Sequence, residues 1–321
     1  MGLTTKVTIL LIVSAFLASF LGACTSTPKR PAPAVQSEPA FPLNVTDQMD
    51  RQVRIEKIPE RIVSLSPSNT EIVYALGLEE KLVGVTEFCD YPEAAKDKPK
   101  VGGFSTVDIE KVVESEPDLI LATNIHKEEI IPRLEGLGLT VLALEPKTLD
   151  EVLDAITLVG ECSGVQEEAA QLVAGMESRI RAITDKTGNL KPAERPRVFY
   201  IVWHDPLMTA GPDTRIHELI ESAGGTNIGQ NLGEEYPTLS LEAVIVANPQ
   251  IIIAGGGMGE GASLPYEFAL TEERLGDLDA RVNGQIYEID TDLIGRPGPR
   301  MVDGLEQLAK MIHPEMFGSI E

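Results

Sequence analysis

A run of twenty residues, 165–184, carries apolar side chains at Val165, Ala169, Leu172, Val173, Met176 and Ile180. That spacing is one continuous amphipathic helix. Its place in the chain constrains the fold more than its length does. On each side lies a series in which short apolar strands alternate with short amphipathic helices. Ahead of it, strands are expected at 62–65, 81–85, 118–122 and 140–143, with helices at 68–76, 107–116, 128–137 and 149–162. Behind it, strands are expected at 197–202, 250–254 and 286–289, with helices at 215–223, 241–246, 271–275 and 300–312. Such alternation with short loops predicts mainly parallel sheets with helices on both faces. The expectation is an α/β fold of two Rossmann-like lobes, 43–164 and 187–321, bridged by a single long backbone helix at 165–186. A hairpin within 45–58, where Val53 and Ile55 alternate with charged residues, leads into the first lobe.

The stretch 61–77, RIVSLSPSNTEIVYALG, reads as a buried strand running through a polar turn into a helix. Ser68 followed by Glu71 has the spacing of a capping box, and Gly77 offers a helix stop. A polar turn between a buried strand and a helix N-terminus is where α/β proteins place ligands. Ser66, Pro67, Ser68 and Asn69 are therefore candidate ligand contacts, with helix capping alone as the other reading.

The N-terminus has a different character. Lys6 precedes an apolar run to Leu21, short for a membrane span and right for the core of a signal peptide. Leu21-Gly22-Ala23-Cys24 resembles the lipobox of bacterial and archaeal lipoproteins, which implies cleavage after residue 23 and lipidation of Cys24; an uncleaved anchor helix is the alternative. Residues 24–42, rich in Pro, Ser, Thr and Ala, read as a disordered tether. Without residues 1–23 the chain keeps 26 basic against 50 acidic side chains, a formal charge of −24. That balance disfavours nucleic acid and anionic lipid headgroups as partners. Cys89 and Cys162 either pair or remain buried thiols, and no repeated CxxC suggests a cysteine metal site.

Five segments stand together: SLSPSNTEIVYALG at 64–77, GVTEFCDYP at 84–92, VGGFSTVDIEKVVESEPDLILA at 101–122, PLMTAGPDTRIHELIESAGGTNIG at 206–229 and YPTLSLEAVIVANPQIII at 236–253. They resemble the substrate-binding proteins of ABC importers for cobalamin, iron siderophores and haem, over roughly 59–313. CDYP and PLMTAG resemble the cobalamin branch. The resemblance implies a class III periplasmic binding protein, a helical-backbone receptor with its ligand between the lobes and no intrinsic cofactor. It implies a monomer that is lipid-anchored outside the cytoplasmic membrane, carrying cobalamin or a related corrinoid to an ABC permease dimer with its ATPase. By the same resemblance Phe88, Phe104, Trp203 and Tyr236 lie against the corrin, and Asp292 and Arg296 near its polar edge. All four aromatics sit in or beside loops, at strand ends or near Gly and Pro, where plain packing is the other reading. Glu110 and Glu242, one per lobe, match the glutamates that dock onto permease arginines. Two aromatic positions of the branch are occupied here by Leu293 and Thr123.

Competing readings are a ferric siderophore or haem as the ligand, with His204 beside Trp203 as an axial candidate, and a scaffold or adhesion lipoprotein. The glycine-rich stretch 255–261 lacks the Lys-Ser/Thr of a nucleotide-binding loop. The four histidines are scattered, and no GxSxG, HExxH or paired-carboxylate motif points to an enzyme.

Overall fold

A computed structural model describes residues 40–256 and 263–320. The leader 1–23, Cys24, the tether to residue 39 and residues 257–261 of the glycine-rich stretch lie outside the described residues. Among the described residues no helix is long and apolar enough to cross a membrane.

The leading hairpin pairs β1 (Leu43–Thr46) with β2 (Gln52–Ile55), Leu43 opposite Ile55. Phe41, assigned to the tether by composition, already packs on the core. The first lobe holds β3 (Ile62–Ser64), β4 (Leu82–Val85), β5 (Leu119–Ala122) and β6 (Val141–Ala143) in one parallel sheet ordered β4-β3-β5-β6. The second holds β7 (Arg197–Ile201), a two-residue hairpin of β8 (Trp203–His204) and β9 (Leu207–Met208), then β10 (Thr226–Asn227), β11 (Ile251–Gly256) and β12 (Ile286–Asp290). Its parallel sheet is ordered β10-β7-β11-β12. Each sheet thus runs second, first, third, fourth. The order reverses at the first strand of each lobe, the crevice where open α/β sheets bind ligands at their carboxyl ends.

Side chains alternate between two cores because a strand turns successive residues to opposite faces. Ile62, Leu119, Leu121 and Leu142 join one cluster, while Val63, Leu65, Ile120 and Val141 join another. In the second lobe Val198, Tyr200, Ile251 and Ile253 face the first cluster, and Phe199, Ile201, Ile252 and Ala254 face a third. The first cluster is continuous through both lobes. The helices Leu149–Ser163 and Gln166–Thr187 and the helix Met301–Ile312 contribute to it. Gly164, at φ +75°, permits the sharp break between the first two of these.

Arg179, on the bridging helix Gln166–Thr187, donates to Asp303 and to both Glu306 oxygens on the helix Met301–Ile312. These hydrogen bonds hold the Glu306 carboxyl below its ordinary range. The stability they supply is present above the unfolded glutamate value, about 4.3, and is lost as pH falls through the lower folded value. The urea midpoint difference between wild type and Arg179→Met should therefore be present at pH 7 and shrink toward zero in acid. An undiminished difference would assign Arg179 a packing role alone.

Three sequence expectations change. Ser66, not Ser68, is the N-cap of the helix Pro67–Ala75, because Pro67 takes the first helical position, where its missing N–H costs nothing. Ser68 is buried one residue further in, its hydroxyl 2.8 Å from that of Ser66, and Glu71 is not part of a capping box. The helix expected at 271–275 is instead the end of a helix Leu264–Thr271, followed by a 3-10 turn Glu273–Leu275. The strand expected to end at residue 254 runs on through Gly255 and Gly256 as β11; a Cβ at Gly255 would meet the Tyr200 hydroxyl at 2.6 Å. Cys89 and Cys162 are both free and buried, and burial pushes the Cys162 thiol up to about 12.

Candidate functional site

A cleft of about 850 Å³ opens where the carboxyl ends of the two sheets face one another. Most wall segments follow a strand. From the first lobe come Ser66–Ser68 after β3, Phe88 after β4, Thr123–Ile125 after β5 and Leu144–Pro146 after β6. The second lobe supplies Val202 after β7, Tyr236 beyond β10, and Thr291, Asp292 and Ile294–Pro297 after β12. Ser66, Pro67, Ser68, Phe88, Phe104, Tyr236, Asp292 and Arg296 all line it. Asn69 does not: its Nδ2 donates to Ala122 O at 3.1 Å and ties the helix Pro67–Ala75 to β5. Trp203 also stands outside the lining. Its Nε1 donates to Asp205 O within the β8–β9 turn, and its ring lies 4.9 Å from that of His204.

Phe88 is 58% exposed and Tyr236 41%, so two large aromatic faces are solvated in the cleft. Phe104 is held from behind by His126. The Thr123 N–H donates to His126 Nδ1, which fixes that nitrogen as an acceptor; Nε2 then carries the proton and donates to Phe104 O at 2.8 Å. Burial pulls the His126 pKa down, in keeping with a neutral ring. Both nitrogens are committed, and no histidine lines the cleft among the described residues. The sequence reading missed Tyr200, the buried phenol on β7 whose titration burial pushes up. It also missed Arg215 and Ile216. The signal for Tyr200 was its place one residue before the end of a buried strand.

The charges in and behind the cleft wall form one cluster, with Arg215 and Glu145 standing apart from it. In the cluster, Glu71 from the first lobe accepts two bonds from Arg300 of the second, at 2.6 and 2.9 Å. Arg296 donates to Asp90 at 2.6 Å, pairs with Asp292 at 2.8 Å and lies 3.6 Å from Glu71. The Tyr91 ring stacks on Arg300, its centroid 3.8 Å from the guanidinium carbon. Burial raises the Glu71 and Asp292 carboxyls, while their arginines pull them back. Arg296 and Arg300 are raised by the surrounding carboxylates against burial. Three carboxylates face two guanidinium groups, so Arg296 has no surplus charge for a ligand anion. Asp292 Oδ1 is buried without a donor. Arg215 donates to Pro146 O across the cleft and to Gly295 O on its own lobe. Among the described residues no set of three or more His, Cys, Asp or Glu is placed to hold a metal ion.

A family model described as periplasmic binding protein matches residues 62–293. A protein of Bacillus subtilis (strain 168), named as an uncharacterized ABC transporter substrate-binding lipoprotein, is 35% identical over 88% of this chain and 90% of its own. A protein of Halobacterium salinarum named as cobalamin-binding is 30% identical over 89% of this chain and 79% of its own. Among solved structures, the periplasmic vitamin B12 binding protein of Vibrio cholerae superposes with a TM-score of 0.68 at 30% identity, covering 79% of this chain and 97% of its own.

Proposed function

Because the chain belongs to the periplasmic binding protein family, a class III receptor that serves an ABC importer, we propose that it captures cobalamin or a related corrinoid between its lobes and delivers it to the permease. The observation that carries this reading is the wall of the cleft. Phe88, Phe104 and Tyr236 line a space of about 850 Å³ together with Ile125, Leu144 and Ile294, a volume within the usual range for small-molecule sites. A flat amphipathic macrocycle edged with amides needs wide apolar contact and a few polar groups. Ser66 and Ser68 line the cleft and offer hydroxyls to such an edge. The names of the Halobacterium and Vibrio relatives point the same way. Haem is the second reading, on one observation: Tyr236 presents a phenol to the cleft, a side chain that can hold haem iron.

The testing experiment is calorimetric titration of the chain with cyanocobalamin, haem and a ferric siderophore. One-to-one binding of the corrinoid alone is expected. Phe88→Ala with Phe104→Ala should weaken it by at least a hundredfold, since each buried aromatic contact is worth about 1.5–3 kcal/mol. Tight haem binding without corrinoid binding would replace the ligand and keep the importer role. Silence with all three would sink the reading.

Delivery rests on two matching helices. Asp108 caps Ile109–Glu114 and Ser240 caps Leu241–Ala247, each side chain accepting from the backbone N–H three residues on. The positions then correspond one by one. An exposed glutamate, Glu110 or Glu242, stands second; a buried valine, Val112 or Val244, fourth; an exposed apolar residue, Val113 or Ile245, fifth. Glu110 makes no ion pair among the described residues; Glu242 acts on Arg274 only at a distance, and Arg274 is already engaged by Glu272. Two equivalent anionic knobs, one per lobe, suit a permease dimer with two equivalent basic sockets. Cys24 is the proposed lipid attachment, to be read as an acyl mass on the N-terminal peptide.

A further inference from the structure

Arg215 occupies the first position of the helix Arg215–Ser222, whose cap is the Thr214 hydroxyl. Its guanidinium spans the cleft wall. Nη1 donates to Pro146 O on the first lobe at 3.1 Å, and Nη2 donates to Gly295 O on the second at 3.2 Å. Nε is buried and has no acceptor. Arg215 makes no ion pair among the described residues, unlike Arg296, which is neutralised by Asp90 and Asp292. Two carboxylates are in its surroundings, neither close enough for an ion pair: the charge of Glu218 acts on Arg215 from a distance, and Glu145 lines the same cleft. Glu218, one turn on, accepts from Leu149 N, and Glu145, beside Pro146, accepts from Asn124 N. A planar cation held at two corners by neutral carbonyls keeps unused donors and a charge that no direct ion pair neutralises, the arrangement that selects carboxylate or phosphate oxygens.

We propose that Arg215 is the anion-recognising residue of the cleft, and that the ligand is a macrocycle carrying a peripheral anionic group. This rests on the reading that the cleft takes a flat ring. It narrows that reading, because a corrinoid with its nucleotide arm bears a phosphodiester, whereas cobinamide has lost it. Haem offers the same chemistry through its propionates. The cation is presented to the ring's edge while the aromatic wall takes its face.

The test is a comparison of ligand pairs on the full-length chain in detergent. Cyanocobalamin should bind about tenfold to a hundredfold tighter than dicyanocobinamide, the size of one charge-assisted hydrogen bond. Arg215→Gln should abolish that ratio by weakening cobalamin and leaving cobinamide as it was; Arg215→Lys should keep part of it. Should the glutamine variant fail to fold, the wild-type ratio and its decline with salt carry the test, since only the anionic ligand responds. Equal affinity of the two corrinoids for wild type, or an equal loss of both in Arg215→Gln, would overturn the proposal and leave the corrinoid reading intact. Binding of haem without either corrinoid would overturn the corrinoid reading. The anion role would then stand if Arg215→Gln weakened haem and spared its dimethyl ester, and fall if it weakened both alike. Binding of no ring at all would overturn both.

Discussion

Glu71→Ala is expected to lower the free energy of unfolding by about 3–5 kcal/mol, the cost of stripping one partner from a buried ion pair. The carboxylate is almost wholly buried and Arg300 is 14% exposed, so water cannot replace the lost bonds. The substitution leaves Arg300 with the face of Tyr91 and no anion in contact, and removes the third and most distant of the carboxylates around Arg296. Glu71→Gln should sit at the low end of the range, because the amide oxygen can still accept one bond. The paired replacement Glu71→Met with Arg300→Met should recover most of the loss, since apolar volume often substitutes for a buried pair without penalty. Urea unfolding of wild type, Glu71→Met, Arg300→Met and the double variant closes a cycle that isolates the pair, with Glu71→Ala and Glu71→Gln measured beside it. A Glu71→Ala midpoint equal to that of wild type would show that the pair contributes nothing net. The pair joins the first lobe to the second through residues 229 positions apart. The Met pair should therefore restore stability while still weakening ligand binding, because the spacing of the walls is no longer fixed by directed bonds.

Charge reversal on both helices proposed for docking should have the largest effect on transport. Glu110→Lys with Glu242→Lys is expected to weaken association with the permease on the order of a thousandfold, taking about 2 kcal/mol for each lost charge pair. Either single change should cost about tenfold or more. Ligand affinity should not move, since neither residue lines the cleft. The measurements are uptake of labelled cyanocobalamin by cells in which the variant replaces the native chain, and ligand titration of the same variant. Normal uptake by the double variant would refute the docking assignment. Lost uptake together with lost ligand binding would point instead to a folding defect. Val113 and Ile245, 42% and 43% exposed, stand one turn beyond the glutamates and should be covered on docking.

Much of this arrangement was legible because it is local. Apolar runs of four or five residues marked the parallel strands, and the 3.6-residue spacing marked the bridging helix. The polar turn after the first strand followed from α/β topology, which is why Ser66 could be named before any fold was seen; Phe88, Phe104, Tyr236, Asp292 and Arg296 were named through the resemblance, on loops that the strand pattern had already marked. What escaped was decided by partners far away in sequence. Glu71 looks like a capping residue within SPSNTE, and only Pro67, which moves the cap back to Ser66, and Arg300 give it another place. Arg215 reads as an ordinary polar residue at a helix start until Pro146 and Gly295 close on it. Trp203 follows a strand, but the β8–β9 turn binds its Nε1 to Asp205, and no spacing rule indicates which way such a ring turns.

The cluster shared by both lobes also sets an order of assembly. Met301, Val302, Leu305, Leu308 and Ile312 belong to the same buried body as Ile62, Leu119 and Leu142. A polypeptide is made and exported from its N-terminus, so these last side chains arrive when nearly everything else is already in place. Until they do, the helices Gln166–Thr187 and Arg215–Ser222 and the strand β12 lack the partner that packs on them, and Glu71 lacks Arg300. The ion pair that ties the first lobe to the second therefore cannot close before the last part of the chain is made.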